Sequence, residues 1–186
     1  MKIAAITLLT AFVACGPVSA AAPSTGETTV TDHAHDFDFL DGKWRVHHRR
    51  LKARLAGSHD WVEFEGTSQL WLTINGHGTV DDNFIDLPGD PYYAMGTRGY
   101  DPKTQTWAIW WLDGRDPHRL DPPVFGNFQN GVGTFNGDDT FNGKPIKVRF
   151  IWSKIAANSA HWEQAFSPDG GKSWETNWVM DFTRVQ

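Results

Sequence analysis

The feature that most constrains the fold is an alternation of apolar and polar side chains with a period of two, which begins at Phe37 and continues to the C-terminal region. In 146–152, for example, apolar residues occupy every second position, and Lys147 and Arg149 lie between them. Successive side chains of a β-strand point to opposite faces, so this pattern predicts strands with one buried face. From Phe37 onward, no stretch of about ten residues has the pattern of an amphipathic helix. The sequence therefore predicts an all-β domain.

Short turns separate the alternating segments. We predict turns at Asn75-Gly76, Pro88-Gly89-Asp90, Asp101-Pro102, Asn136-Gly137-Asp138, Asn142-Gly143 and Asp169-Gly170-Gly171. The predicted strands are 43–55, 61–72, 78–86, 92–101, 106–113, 124–135, 145–153, 160–167 and 174–184. We expect a bulge at Gly66 and, because of its several glycines, a twisted or bulged sixth strand. Short connections favour antiparallel neighbours, and closure protects the sheet edges, so we predict a single antiparallel up-and-down β-barrel of about nine or ten strands.

The first twenty residues have the pattern of a secretory signal peptide. A basic start precedes an apolar run at 3–14, which is too short to span a bilayer because a spanning helix needs about twenty residues. Small residues follow, and we predict a signal peptide over 1–20, cleaved after Ala20 or Ala22. The alternative is a lipoprotein, because the residues around Cys15 resemble a lipid-attachment motif.

Residues 21–36 are small and polar, and we interpret them as a flexible linker to a barrel domain at 37–186. His33 and His35 lie between acidic residues, so they either belong to a solvated linker or bind a transition metal. Cleavage removes the single cysteine, which fits an oxidising compartment. We therefore expect a periplasmic or secreted protein with no transmembrane segment.

Composition and motifs exclude several classes of function. The chain carries 17 basic and 22 acidic residues, a net charge of −5, whereas nucleic-acid binding requires a basic footprint. No H-E-x-x-H, Gly-x-Ser-x-Gly or Walker-type motif occurs. Without a cysteine in the mature chain, thiol catalysis and zinc-thiolate sites are excluded. We expect no nucleic-acid partner, and we predict neither a metal site nor a cofactor.

The ten tryptophans need an explanation beyond core packing. A barrel of this size can hold one small molecule. We predict a cavity walled by Trp111, Trp152, Trp162 and Trp178. Among polar residues, Arg98 and Gln164 are expected to orient the polar end of a ligand, and the remaining candidates for inward-facing ligand contacts are His48 and Asn83. Arg98 is suited to hold a carboxylate, and an outward salt bridge is its alternative role.

Three functions remain open at this point. The first is an exported barrel that binds a small apolar or amphipathic molecule. The second is an enzyme, such as an isomerase, cyclase or hydrolase, that acts on a hydrophobic metabolite in the same cavity. Its general acid or base would be His48 or a buried glutamate such as Glu65. The third is a structural protein with a filled barrel and an outer face that forms a homodimer.

Two local motifs support the fold. Gly42-x-Trp44 at the start of the first strand resembles the start of lipocalins and other calycin barrels, which implies that Trp44 plugs one end. The segment 167–174 fits the Asp-box pattern S-x-D-x-G-x-T/S-W. We interpret it as a turn in which Asp169 accepts hydrogen bonds from the backbone and Trp174 packs beneath.

Longer motifs extend the resemblance to a family. Phe37-x-Phe39-Leu40-x-Gly42-x-Trp44 at one end combines with Trp162-Glu163-Gln164-Ala165-Phe166 and Trp174-Glu175-x-Asn177-Trp178 at the other. Over nearly all of 37–184, the sequence resembles the bacterial domain-of-unknown-function 1579 family. The resemblance implies a calycin-type barrel and carries no agreed activity, so it supplies no catalytic residues.

Overall fold

The computed structural model describes residues 33–186. The predicted signal peptide, Cys15 and linker residues 21–32 lie outside the described residues. Ten strands follow one another along the chain: β1 (Gly42–Leu51), β2 (Trp61–Thr73), β3 (Gly78–Ile85), β4 (Tyr92–Asp101), β5 (Thr106–Asp113), β6 (Val124–Gln129), β7 (Val132–Phe141), β8 (Lys144–Ala156), β9 (Ser159–Ser167) and β10 (Glu175–Arg184). Short 3-10 helices occur at His33–His35, Asp38–Leu40 and Ile74–Gly76.

The ten strands form one closed antiparallel barrel. Each strand pairs with the next in sequence, and β1 pairs with β10 to complete the ring. Across this closing seam, Trp44 lies opposite Arg184 and Arg50 lies opposite Trp178. The predicted all-β up-and-down barrel is therefore confirmed. Closure leaves no unpaired sheet edge, so every strand buries one face in a common interior.

The predicted sixth strand, 124–135, is wrong because it is two strands, β6 and β7. Asn130 and Gly131 connect them with φ angles of 51° and 77°. Positive φ at both central residues is the geometry of a type I′ hairpin turn, which matches the right-handed twist of the flanking strands.

The predicted turn at 136–138 is also wrong, because these residues lie within β7. Gly137 permits a close approach of the Pro123 backbone, because a Cβ atom at this position would lie 2.7 Å from the carbonyl oxygen of Pro123. A glycine in a strand often marks such a close backbone approach.

The bulge expected at Gly66 is absent from the pairing of β2 with β1 and β3. A Cβ atom on Gly66 would lie 2.6 Å from Nε2 of His48 and 2.5 Å from the carbonyl oxygen of Phe84, so this glycine makes room for the histidine ring. A register shift occurs instead in β10 between Thr176 and Trp178. It leaves Asn177 as the extra residue, fully buried, so the strict alternation predicted for this strand fails there.

One end of the barrel is filled by aromatic side chains. The ring of Phe37 lies 5.0 Å from the rings of Trp107 and Phe128 and 5.6 Å from that of Phe135. Trp107 also donates a hydrogen bond to the carbonyl oxygen of His33 at 2.8 Å. This bond connects the closed end with His33, which lies in the segment predicted to be a linker.

The Asp-box segment forms the turn that its sequence predicts. The Asp169 carboxylate accepts hydrogen bonds from the backbone N–H groups of Lys172 and Ser173 at 3.0 and 2.9 Å. Hydrogen bonds from Ser173 and Ser167 also hold the pKa of this carboxyl well below its usual range. Trp174 donates to the carbonyl oxygen of Gly171 at 3.1 Å, so the motif serves as a structural turn between β9 and β10.

Candidate functional site

The barrel encloses a cavity of about 290 Å³. It extends from Leu40 and Trp44 at the closed end to Arg54 and Arg119, which lie in loops at the opposite rim. Typical ligand sites measure about 300–1,000 Å³, so this cavity suits a molecule at the small end of that range. Its apolar wall includes Trp111, Phe150, Trp162, Trp178, Met180 and Phe182.

All four tryptophans predicted to wall the cavity line it. The rings of Trp162 and Trp178 meet edge to face at 5.8 Å, and those of Trp111 and Trp178 meet in the same way at 6.3 Å. Edge-to-face contacts fix ring orientations, so the wall is a defined aromatic surface. Contact between these rings and a ligand stays a prediction.

Arg98 also lines the cavity, but its charge is already balanced. It points inward from β4 and forms an ion pair with Asp81 of β3. Both residues are buried, with 8% and 3% exposure. Arg98 Nη1 also donates to the hydroxyl of Thr79 at 3.2 Å. The outward salt bridge considered for Arg98 is therefore wrong, and the carboxylate beside its guanidinium belongs to the chain itself.

The other two polar candidates on the cavity wall are held by neighbouring side chains. Asn83 donates its amide to the Asp81 carboxylate, and Gly96 N–H donates to the same carboxylate at 3.1 Å. Gln164 donates to the side-chain oxygen of Asn177 at 2.8 Å. These bonds fix the amide orientations of Asn83 and Gln164, which both line the cavity.

His48 is buried but does not line the cavity. Its ring stacks on Phe64 with centroids 4.8 Å apart, and Trp178 Nε1 donates to its Nδ1 at 3.2 Å. Glu65, the other acid–base candidate, is exposed and contacts His47 Nδ1 at 2.8 Å on the outside of the barrel. The two groups assigned to acid–base chemistry thus lie away from the cavity surface, which argues against that mechanism.

The burial of His48 predicts a pH-dependent stability. Burial, with smaller effects from the charges of His47 and Arg50, lowers its pKa from 6.5 to about 3. In the window between these values, the unfolded chain binds a proton that the folded chain excludes, so stability is complete above about pH 6.5 and is lost as the pH falls toward 3. From pH 7 to pH 5, we expect this group to reduce the free energy of unfolding by about 2 kcal/mol.

Urea denaturation at a series of pH values measures this loss. His48→Gln removes the titrating ring, so the pH slope that it contributes should disappear in the variant even though the other histidines and carboxylates remain. Equal slopes for the two proteins between pH 5 and 7 would show that His48 is protonated in the folded state.

Two buried donors on cavity-lining residues have no hydrogen-bond partner among the described residues. Arg98 Nε and Trp152 Nε1 form no hydrogen bond within the part of the chain that the structure describes. Buried donors in proteins are nearly always paired, with protein, water or ligand. Arg98 Nε and Trp152 Nε1 are therefore exceptions to this rule among the described residues.

The predicted site does not include the residues at the rim of the cavity. Arg50, Arg54 and Tyr92 line the open end of the cavity. Arg50 continues the inward-facing set of β1, in which Trp44, Val46 and His48 are buried, so the alternation held a usable signal. Arginine is normally exposed at a strand end, and for this reason Arg50 was not predicted to face the interior.

Within residues 33–186, no group of three or more histidine, cysteine or acidic side chains could hold a metal ion. His33 contacts the Asp36 carboxylate at 2.8 Å and His35 contacts that of Asp38 at 2.9 Å, so each histidine of the H-x-H motif pairs with a nearby acid. Over the same residues, no helix has the length and apolar character needed to cross a membrane.

Comparisons with known proteins bear on the fold. No protein-family model and no curated protein matches the sequence. Among solved structures, the chain is similar to the S-type phycobiliprotein lyase CPES from Guillardia theta, with a TM-score of 0.52 and 8% sequence identity. The likeness covers 81% of this chain and 90% of that chain. At this identity it shows the fold alone, and it confirms the calycin-like β-barrel.

Proposed function

We propose that the protein binds a small amphipathic molecule inside its barrel. The observation that carries this proposal is the cavity of about 290 Å³, whose aromatic walls also carry the polar side chains of Arg98, Asn83 and Gln164. The aromatic wall of Trp111, Trp162 and Trp178 supplies apolar contact area. A few fixed polar groups in an apolar pocket are typical of small-molecule sites.

The family and the compartment are part of the same proposal. We propose membership of the domain-of-unknown-function 1579 family on the motifs at Phe37–Trp44 and Trp162–Trp178. The signal-like residues 1–20 and the loss of Cys15 on cleavage support function after export, in the periplasm or outside the cell.

Binding of a neutral aromatic probe tests the proposal. N-phenyl-1-naphthylamine has an apolar body and one weak polar group, and it accepts energy from excited tryptophan. We expect saturable binding of one probe per chain, with energy transfer from the cavity tryptophans. Ile109→Trp places an indole in the cavity and is expected to weaken binding by about tenfold, because it takes up volume that the probe needs.

Val132→Trp is the matched control, since Val132 is exposed next to the β6–β7 turn and the same indole there leaves the cavity unchanged. Far-UV circular dichroism verifies that both variants fold. Equal affinity of Ile109→Trp and Val132→Trp, or binding of the probe without saturation, would overturn the cavity as the binding site.

A further inference from the structure

Two arginines at the rim of the cavity form no ion pair with any of the described residues. Arg50 ends the inward-facing set of β1, and Arg54 follows in the loop between β1 and β2. Among residues 33–186, neither side chain has a nitrogen within 4.0 Å of a carboxylate oxygen. Both residues are half-buried and line the cavity.

Aromatic rings hold both guanidinium groups in place. The Arg50 guanidinium lies 4.8 Å from the ring centroid of Trp178. That of Arg54 lies 4.8 Å from the ring of Phe141 and 5.3 Å from the ring of Phe166. A guanidinium stacked on an aromatic face keeps its N–H edge free for an acceptor. The two arginines are thus positioned, and within residues 33–186 neither forms an ion pair, although Asp113 interacts with the charge of Arg50 and Glu175 with that of Arg54.

Tyr92 adds a hydroxyl to the same place. Burial raises the pKa of Tyr92 above its usual value. A hydrogen bond with Arg50 and the positive charge of that arginine lower the pKa, but their effect is smaller. The phenol therefore keeps its proton at neutral pH. Burial and the neighbouring charge of Arg50 lower the pKa of Arg54 to about 10, and the opposite effect of Glu175 is smaller.

The other charged residues around the rim are mostly paired among themselves. Arg115 bonds Asp113 at 2.6 Å, and Arg119 lies 3.9 Å from Asp121. Asp138 pairs with Lys147 at 2.6 Å. Burial, with a smaller effect from the charge of Asp139, raises the pKa of Asp121, and Asp139 forms no ion pair within residues 33–186. Glu175 acts on Arg54 from a distance, and its carboxylate accepts from the backbone N–H of Leu55 at 2.7 Å.

We propose that Arg50, Arg54 and the Tyr92 hydroxyl form an anion site, and that the molecule bound in the barrel is an amphipathic acid. Its carboxylate, sulfonate or phosphate lies at the rim, and its apolar body extends down the cavity along the wall that contains Trp111, Trp162 and Trp178. This assignment rests on the proposed binding function and adds the ligand's charge and its orientation. It places the acid group at the open end of the barrel, away from the Arg98–Asp81 pair.

Two probes that share one ring system, one neutral and one negatively charged, test whether the site prefers an anion. 8-Anilinonaphthalene-1-sulfonate is N-phenyl-1-naphthylamine with an added sulfonate. We expect the native protein to bind the sulfonate about tenfold more tightly than the neutral probe, because a charge-assisted hydrogen bond is gained at the rim. In Arg50→Gln/Arg54→Gln, the affinity for the sulfonate should fall by about tenfold or more, and that for the neutral probe should stay within about twofold.

Arg45→Gln is the matched control, because it removes one positive charge from the outer face of the same strand, where Arg45 is exposed. It should leave both affinities unchanged. Displacement of the sulfonate by the neutral probe establishes that both occupy one site. If the double variant loses its native near-UV circular dichroism, each single variant is expected to lower the sulfonate affinity several-fold.

The outcomes separate the two proposals. If the neutral probe binds and the double variant retains full affinity for the sulfonate, the anion site is overturned and the binding function stands. If neither probe binds the native protein, the binding function fails and the anion site fails with it.

Discussion

Replacing Asp81 with alanine is expected to destabilise the protein by about 3–5 kcal/mol. Asp81 is buried, pairs with Arg98 and accepts from Asn83 and from Gly96 N–H at 3.1 Å. Its loss leaves the guanidinium of Arg98 in the interior without a counter-ion. It also removes the acceptor of two further donors. An uncompensated buried charge costs much more than the intact pair contributes, because desolvation is no longer offset.

Removing both charges should recover most of this loss. In Asp81→Leu/Arg98→Met, apolar side chains replace the pair, and such exchanges are often neutral or stabilising. Urea denaturation of the wild type, of Asp81→Leu, of Arg98→Met and of the double variant gives the coupling energy between the two side chains. A loss below about 1 kcal/mol for Asp81→Ala would contradict the prediction, since it would show that the charge of Arg98 reaches water through the cavity.

The barrel was predictable because its local signals agree with one another. Alternating side chains define the strands, and short turns such as Asn142-Gly143 make each strand pair with its neighbour. The predicted sixth strand, 124–135, is the exception. Gly126, Gly131 and Gly133 lie close together in sequence, but only Gly131 has the positive φ of a turn. At Gly126, a Cβ atom would lie 1.9 Å from the carbonyl oxygen of Thr134, so that glycine permits two strands to approach.

The site was predictable where the barrel alternation alone places a side chain. Trp152 and Trp162 lie directly opposite each other on β8 and β9 and both face the cavity, as their positions predict. The partner of Arg98 was not predictable in the same way. Asp81 and Asp82 are adjacent, so a shift of one residue in the pairing of β2 with β3 would exchange which of them is buried. The bulge expected at Gly66 in β2 left the register of this pairing undetermined.

Bulges limit prediction for a physical reason. Each adds a residue to one strand and exchanges the faces on either side of it. The bulge at Asn177 brings its side chain to Gln164, a contact that strict alternation in β10 excludes. Polar residues of this kind position the site, but their faces depend on pairing across strands, which a single sequence does not show.

Replacing Trp44 with alanine is the second change with a large expected effect, a loss of about 3–5 kcal/mol in the free energy of unfolding. Trp44 is 1% exposed and forms part of the closed end of the cavity. Its indole donates to the carbonyl oxygen of Leu40 at 2.8 Å, and its ring lies 4.2 Å from the Arg184 guanidinium. Truncation removes a large apolar surface and leaves a void. It also removes the hydrogen bond that connects the Asp38–Leu40 turn to β1.

Trp71→Ala is the matched control, because Trp71 lies on the neighbouring strand but is 44% exposed on the outer face. The same truncation there should cost no more than about 0.5 kcal/mol, as for surface substitutions in general. Urea denaturation followed by far-UV circular dichroism compares the two variants without depending on the fluorescence of the deleted tryptophans. Arg184 donates to the carbonyl oxygens of Asp41 and Phe39 at 2.5 and 2.6 Å and thus holds the same segment from β10. If Trp44→Ala unfolds at the same urea concentration as Trp71→Ala, these arginine contacts alone close the barrel, and Trp44 is not the plug.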